Sequence, residues 1–198
     1  MPDAVVHLID DDEDVRRALS FLLGTAGFAV KVYESAVQFL DKCAPSLSGC
    51  VVSDVRMPDM DGLQLLRRLK EIGVTLPVVI MTGHADVALA VEAMKIGAVD
   101  FIEKPFADEV LLDAIRSAMS RQVGWRAGDV DQIRTRLASL TSREREVLDG
   151  LLAGHPNKTI AFDLGLSPRT VEIHRANVMT KMGASSLPEL VRMTLSAD

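Results

Sequence analysis

Two hydrophobic periods alternate over the first 120 residues. Val5-Val6-His7-Leu8-Ile9, Phe28 to Val32, Cys50-Val51-Val52-Ser53, Pro77 to Met81 and Val99 to Ile102 are short, nearly continuous apolar runs and read as buried strands. Between them, Val15 to Ala26, Ala36 to about Cys43, Gly62 to Lys70, Asp86 to Ile96 and Asp108 to about Arg121 carry helical spacing. In the 62–70 segment, for example, Leu63, Leu65, Leu66 and Leu69 supply the apolar positions. Ser35-Ala36-Val37-Gln38 has the form of a capping box, and Gly27 and Gly97 stand where helices stop. Five strands alternating with five helices predict a parallel sheet with helices on both faces. Strands buried on both faces have no need of polar alternation, as these runs show.

The pattern changes after residue 121. Residues 122–137 lose the apolar period, hold Gly124 and Gly128 among several charges, and read as a linker, either a rigid helix or a flexible tether. Only helices follow. Thr141-x-x-Glu144 opens one that runs through Ala153 to a stop at Gly154, and Asn157 to Leu164 is a second, ended by Gly165. Ser167-Pro168 caps a third, which continues to Met182 before Gly183, and Ser186-x-x-Glu189 caps a fourth. The expected organisation is therefore an α/β domain over 1–121, a linker over 122–137 and a small four-helix domain over 138–198.

Composition narrows the class. Of 198 residues, 48% are apolar and 25% charged, ordinary for a soluble globular chain. No run approaches the roughly 18 apolar residues of a membrane span, and Met1-Pro2-Asp3 is unlike the start of a secretory signal. Cys43 and Cys50 have no metal or redox spacing and read as small hydrophobes. No membrane association and a cytoplasmic location are expected. The net charge of −6 is unevenly spread: residues 1–122 hold 19 acids and 12 bases, residues 123–198 hold 9 and 10. The acidic half is no nucleic-acid surface, whereas the second half is compatible with one, though far from strongly basic.

Polar residues stand at strand ends where a buried strand has no use for them. Asp10-Asp11-Asp12 follows the first strand, Asp54 the third, Thr82-Gly83 the fourth and Lys104-Pro105 the fifth, all on the carboxyl edge, where such sheets place their sites. Clustered carboxylates repel unless a cation balances them, and a few oxygen ligands suit Mg²⁺, which keeps several waters. The set fits phosphoryl transfer to a carboxylate. Asp54 serves as nucleophile, Mg²⁺ on Asp10 or Asp11 offsets charge, Lys104 contacts phosphoryl oxygens and Thr82 donates a hydrogen bond. Asp12, Asp14, Asp59 and Asp61 read as caps or turns, His84 as a loop residue near the mouth, and His7 as a core or edge histidine with its hydrogen bonds satisfied.

The runs His7-Leu8-Ile9-Asp10-Asp11-Asp12, Ser53-Asp54-Val55-Arg56-Met57-Pro58-Asp59-Met60-Asp61-Gly62, Met81-Thr82-Gly83-His84 and Phe101-Ile102-Glu103-Lys104-Pro105-Phe106 resemble the receiver domain of response regulators over about residues 3–121. The resemblance implies a flavodoxin-like, doubly wound five-stranded parallel sheet of order 2-1-3-4-5. It implies phosphorylation of Asp54 by a sensor histidine kinase, and Mg²⁺ held by Asp10, Asp11, Asp54 and the backbone carbonyl of Arg56. It further implies a cis Lys104-Pro105 bond and switch positions at Thr82 and Phe101, with Gly83 beside the phosphate.

In the second half, Leu140-Thr141-Ser142-Arg143-Glu144-Arg145-Glu146-Val147-Leu148, Asn157-Lys158-Thr159-Ile160-Ala161 and Ser167-Pro168-Arg169-Thr170-Val171-Glu172-Ile173-His174-Arg175 resemble the LuxR/FixJ type of helix-turn-helix. Val171, His174, Val178 and Met182 form an inward stripe. The opposite face presents Arg169, Glu172, Ile173, Ala176, Asn177 and Thr180, and suits the major groove with its N-terminal end nearest the bases. Asn177 suits adenine, Glu172 a cytosine amino group and Ile173 a thymine methyl. Lys158, Thr170, Arg175 and Lys181 suit phosphates. So weakly basic a domain binds better in two copies.

Together the halves resemble a FixJ-type transcriptional regulator. Phosphorylation of Asp54 is then expected to promote homodimerisation through the face of the 86–96 helix, the fifth strand and the 108–121 helix, and so sequence-specific DNA binding, with RNA polymerase a further partner. Two other readings share the residues. An aspartate-nucleophile, Mg²⁺-dependent phosphatase needs a substrate pocket or cap domain, which a small helical bundle does not offer. A phosphorylation-independent DNA-binding protein would keep the receiver as a scaffold, against which the intact pocket argues. The receiver hydrolyses only its own phosphate, so no separate enzyme activity is expected.

Overall fold

The computed structural model describes residues 5–43, 47–83, 86–120 and 127–197. The elements are β1 (Val5–Ile9), α1 (Glu13–Thr25), β2 (Ala29–Tyr33), α2 (Ala36–Asp41), β3 (Cys50–Asp54), α3 (Gly62–Glu71), β4 (Val78–Thr82), α4 (Val87–Ile96), β5 (Asp100–Glu103), α5 (Asp108–Ser120), α6 (Ala127–Ala138), α7 (Ser142–Leu152), α8 (Asn157–Leu164), α9 (Pro168–Met182) and α10 (Leu187–Ala197). They pack into two compact units, residues 1–84 with 96–122, and residues 85–95 with 123–198. Residues 85–95 group with the second unit. His84 and residues 121–126 lie outside the described residues.

The first unit holds the whole sheet, parallel and ordered β2-β1-β3-β4-β5. Its direction of winding reverses between β1 and β3, whose carboxyl ends are therefore neighbours. Alternation along the strands points Val6, Leu8, Cys50, Val52, Val79 and Met81 to one face, in one buried cluster with Leu19 and Leu23 of α1 and Leu111 and Ile115 of α5. Ile9, Val51, Val78 and Ile80, of opposite parity, are equally buried, as are Leu65, Leu66 and Leu69 of α3. Each such side chain contributes about 1.5–3 kcal/mol. The edge strand β2 exposes Lys31 and Val32, and a lysine there discourages pairing with another chain.

Two boundaries bear on function. β3 runs through Asp54 and β4 through Thr82, so these residues end strands and are fixed by the ladder instead of lying in loops. Asp54 is in register with Met81, and Val55 N–H donates to the Met81 carbonyl at 2.8 Å. α1 starts at Glu13 because the Asp12 carboxylate accepts from the N–H groups of Asp14 and Val15. Asp61 caps α3 in a capping box with Gln64. His7 is a satisfied core residue: Nδ1 lies 3.2 Å from the Tyr33 hydroxyl and Nε2 3.2 Å from the Ser48 carbonyl, with the Phe39 ring edge-on. Burial lowers its pKa, Ser48 opposes that, and Lys31 adds to it.

Of the two forms expected for the 122–137 linker, the described residues show a helix, α6, which precedes the four expected helices, α7 to α10. Val130, Ile133 and Leu137 stand at three- and four-residue steps, and Ile133, 2% exposed, joins Val147, Leu148, Leu151, Ile160, Val171, Val178, Met182 and Leu190 in one core. A stripe of three apolar residues among charges is a weak signal in sequence; packing against α9 and α10 supplies what it lacks. The expected caps are present: Thr141 and Glu144 form a capping box, Pro168 opens α9, and Gly165 and Gly183 are left-handed at the ends of α8 and α9.

Candidate functional site

At the carboxyl edge of the sheet one ammonium group joins two carboxylates. Lys104 Nζ donates to Asp10 Oδ2 at 2.7 Å and to Asp54 Oδ1 at 2.6 Å. Asp10 is 2% and Asp54 7% exposed. Each carboxylate has a backbone donor as well: Arg56 N–H to Asp54 Oδ2 at 2.6 Å, and Asp12 N–H to Asp10 Oδ1 at 3.0 Å. Lys104 is aimed by its own backbone, whose N–H donates to the Thr82 carbonyl at 2.7 Å, and the Lys104-Pro105 bond is cis, as the resemblance implied.

Burial pushes the Asp54 carboxyl above its ordinary range. Lys104, by hydrogen bond and charge, and the Arg56 N–H pull it back, while Asp10 raises it. Burial pulls Lys104 down, but its two carboxylate partners more than offset this and hold its pKa above the usual lysine value. The pocket therefore keeps a buried carboxylate under tension between desolvation and a single cation. That is the condition in which a second cation or a cationic partner is most stabilising.

The expected metal ligands are only partly assembled. Asp10 and Asp54 converge on Lys104 and the Arg56 N–H meets Asp54, but Asp11 is exposed, and among the described residues no three Asp, Glu, His or Cys side chains gather around one metal position. Lys104 already satisfies one oxygen of each buried carboxylate. The donors are hard oxygens with a net negative balance, which fits Mg²⁺ and not a thiolate- or imidazole-seeking metal. Thr82 and Phe101 are both buried, and Gly83 is exposed at the rim.

Two residues of the pocket escaped the sequence reading. Arg16 Nη1 donates to the Asp10 backbone carbonyl at 2.7 Å, tying α1 to the end of β1. Gly62 N–H donates to the Val55 carbonyl at 2.9 Å, and a Cβ on Gly62 would stand 2.3 Å from the Asp54 carbonyl oxygen. Only the position of Gly62 just after Asp61 in the motif hinted at this.

In the second unit α9 buries Val171, Val178 and Met182 and leaves Arg169, Glu172, Ile173, Ala176, Asn177 and Thr180 exposed, the two faces expected. His174 is half-buried on the inner side. Lys158 is exposed near the start of α8. Arg175 Nη1 lies 3.5 Å from Asn157 Oδ1, which links α9 to the N-terminus of α8. Arg169 and Glu172 form an exposed 3.6 Å ion pair. The Thr170 hydroxyl is 2.8 Å from the Ser167 hydroxyl in the cap. Lys181, expected on a phosphate, also has a partner within the protein. Its Nζ donates to Glu144 Oε2 at 2.7 Å, because that carboxylate, on a residue only 4% exposed, draws the nearest cation. Lys181 and the Thr141 N–H and hydroxyl together hold the Glu144 carboxyl down at about 2, against desolvation.

Residues 6–116 match the response regulator receiver domain family, and residues 138–194 match the luxR family of bacterial regulatory proteins. The chain is 54% identical over 198 residues to the transcriptional regulatory protein FixJ of Rhizobium meliloti (strain 1021), covering 99% of this chain and 97% of that protein. It is 44% identical over 193 residues to the response regulator protein TodT of Pseudomonas putida, covering 96% of this chain and 85% of that one. Among crystal structures, full-length FixJ from B. japonicum is 51% identical, with 100% of this chain and 98% of that chain covered and a TM-score of 0.56.

Proposed function

The chain belongs to the FixJ-type response regulators, which join a receiver to a LuxR-type DNA-binding domain for phosphorylation-dependent control of transcription, and we propose that Asp54 is its phosphoacceptor and α9 its recognition helix. The observation that carries the first assignment is the Lys104 ammonium bridging Asp10 and Asp54. A carboxylate oxygen of Asp54 attacks the phosphorus of a phosphohistidine on a sensor kinase. The P–N bond breaks as the acyl phosphate O–P bond forms, and the imidazole leaves with the electron pair. Lys104 then turns from balancing the carboxylate to pairing with a phosphoryl oxygen, and the Arg56 N–H stays on the carbonyl side. Asp10, Asp11, Asp54 and the Arg56 carbonyl are the groups that would hold Mg²⁺, which when bound offsets charge on the transferring group.

The Thr82 hydroxyl, beside Gly83, donates to the new phosphate, and Phe101 repacks in response. Since both are buried beforehand, the change exchanges one packed arrangement for another. The receiver then self-associates and two copies of α9 meet paired half-sites. Arg169, Glu172, Ile173 and Asn177 face the bases, while Lys158, Thr170 and Arg175 face phosphates. RNA polymerase is the further partner, and the cytoplasm the compartment; no helix among the described residues is long and apolar enough to cross a membrane.

The test is labelling with acetyl phosphate with and without Mg²⁺, followed by mapping of the modified peptide. One phosphoryl group on Asp54, Mg²⁺-dependent and absent in Asp54→Asn, is expected. Equal labelling of Asp54→Asn overturns the assignment.

A further inference from the structure

The far end of α9, away from the face expected to read bases, is tied by two charged contacts to different helices. Arg136, in the last turn of α6, donates from Nη1 to the Met182 carbonyl at 2.7 Å. Met182 is the last residue of α9, and its side chain is fully buried. Carbonyls in a helix's last turn have no partner within the helix and lie at the negative end of its dipole, so a guanidinium there makes a charge-assisted hydrogen bond. The contact has little play. A Cβ on Gly183 would stand 2.8 Å from that same Nη1, so the guanidinium lies against the bare Cα of the left-handed cap. Lys181, one residue before Met182, is fixed to Glu144 at the start of α7.

We propose that Arg136 is a positioning residue for DNA recognition: through the Met182 carbonyl it sets the angle of α9, and so the aim of Arg169, Glu172 and Ile173, without touching DNA. This rests on the reading of α9 as the recognition helix. From Met182 back to residue 171 the helix spans about 16 Å at 1.5 Å per residue. A tilt of about 10° at the anchored end therefore moves the reading end by about 3 Å, a full hydrogen-bond length. Base contacts are lost under such a shift, while phosphate contacts through long, flexible lysine and arginine side chains survive it. Arg136 thus affects discrimination between sequences more than affinity for DNA in general. The anchor also lies on α6, in the segment read from sequence as a linker.

The experiment uses the full chain with Mg²⁺ and beryllium fluoride, a mimic of aspartyl phosphate. A duplex selected by the wild type from a random-sequence pool is compared with an unselected duplex of equal length. Arg136→Ala is expected to bind the selected duplex about tenfold more weakly, to bind the unselected duplex as the wild type does, and to keep the wild-type salt dependence. Arg136→Lys restores part of the discrimination. Should Arg136→Ala lose its helical circular dichroism, Arg136→Gln carries the same expectation. Wild-type discrimination in Arg136→Gln or Arg136→Ala overturns the proposal. So does equal weakening on both duplexes with a shallower salt slope, which marks a direct phosphate contact. A pool from which the wild type selects nothing refutes the recognition-helix reading itself, and this inference with it.

Discussion

Gly62→Ala separates the geometry of the pocket from ordinary helix propensity. Gly62 is the first residue of α3, and its φ is not positive. Alanine is thus permitted by the backbone and favoured over glycine in a helix by about 0.5–1 kcal/mol. Propensity alone predicts a more stable protein. The structure predicts the reverse, because the added Cβ stands 2.3 Å from the Asp54 carbonyl oxygen, against a floor of 3.0 Å for real contacts and 3.4 Å for comfortable ones. The end of β3 and the start of α3 must separate by 0.7–1.1 Å, the difference between those distances. Neither atom belongs to a side chain that can rotate aside. Added to the 2.6 Å contacts of Asp54 with Lys104 and Arg56, such a shift carries them past normal hydrogen-bond range. A 1 Å misplacement at a reacting centre costs about 10²-fold in rate, and backbone overpacking costs about 1–3 kcal/mol. The assay is the initial rate of phosphoryl incorporation from acetyl phosphate at saturating Mg²⁺, with thermal unfolding alongside. A rate within about threefold of wild type, with an unchanged or raised melting temperature, refutes the steric argument.

Lys104→Met leaves two buried carboxylates without their cation and is expected to cost about 3 kcal/mol. Because the folded pKa of Lys104 is raised, its contribution is complete below the unfolded value of 10.5 and is lost as pH climbs through the folded one. Urea unfolding at neutral and strongly alkaline pH should show the gap between wild type and variant closing. Glu144 has the opposite sign: with its pKa lowered to about 2 from 4.5, it stabilises above 4.5 and fails as pH falls toward 2. Glu144→Gln should flatten that acid limb in circular dichroism, and an unchanged limb argues against the pair with Lys181. Lys158→Ala should weaken binding alike on all duplexes and reduce the salt slope by about 0.9. Asn177→Ala should cost about 1–3 kcal/mol on the selected duplex and relax its preference at one base pair.

The parallel sheet was legible because strands buried on both faces have no polar alternation, so Val51-Val52 and Val78 to Met81 admit one reading. The pocket was legible because Asp10, Asp54, Thr82 and Lys104 are polar residues at strand ends, where burial needs a chemical reason. What stayed hidden depends on distances between segments far apart in sequence. Arg16 looks like any exposed helix arginine until its guanidinium is found on the Asp10 carbonyl. The bond from Lys181 to Glu144, 37 residues earlier, is equally invisible along the chain. α6 shows three apolar residues in a charged stretch, and only the core around Ile133 makes it a helix.

The most direct measurement is fluorescence anisotropy of the selected duplex titrated with full-length protein in Mg²⁺, with and without beryllium fluoride, for wild type and Asp54→Asn. The account predicts at least fivefold tighter binding by the wild type with beryllium fluoride, within the usual range of coupling between sites, and no response in Asp54→Asn. Equal wild-type affinity in both conditions, or the same gain in Asp54→Asn, would contradict it.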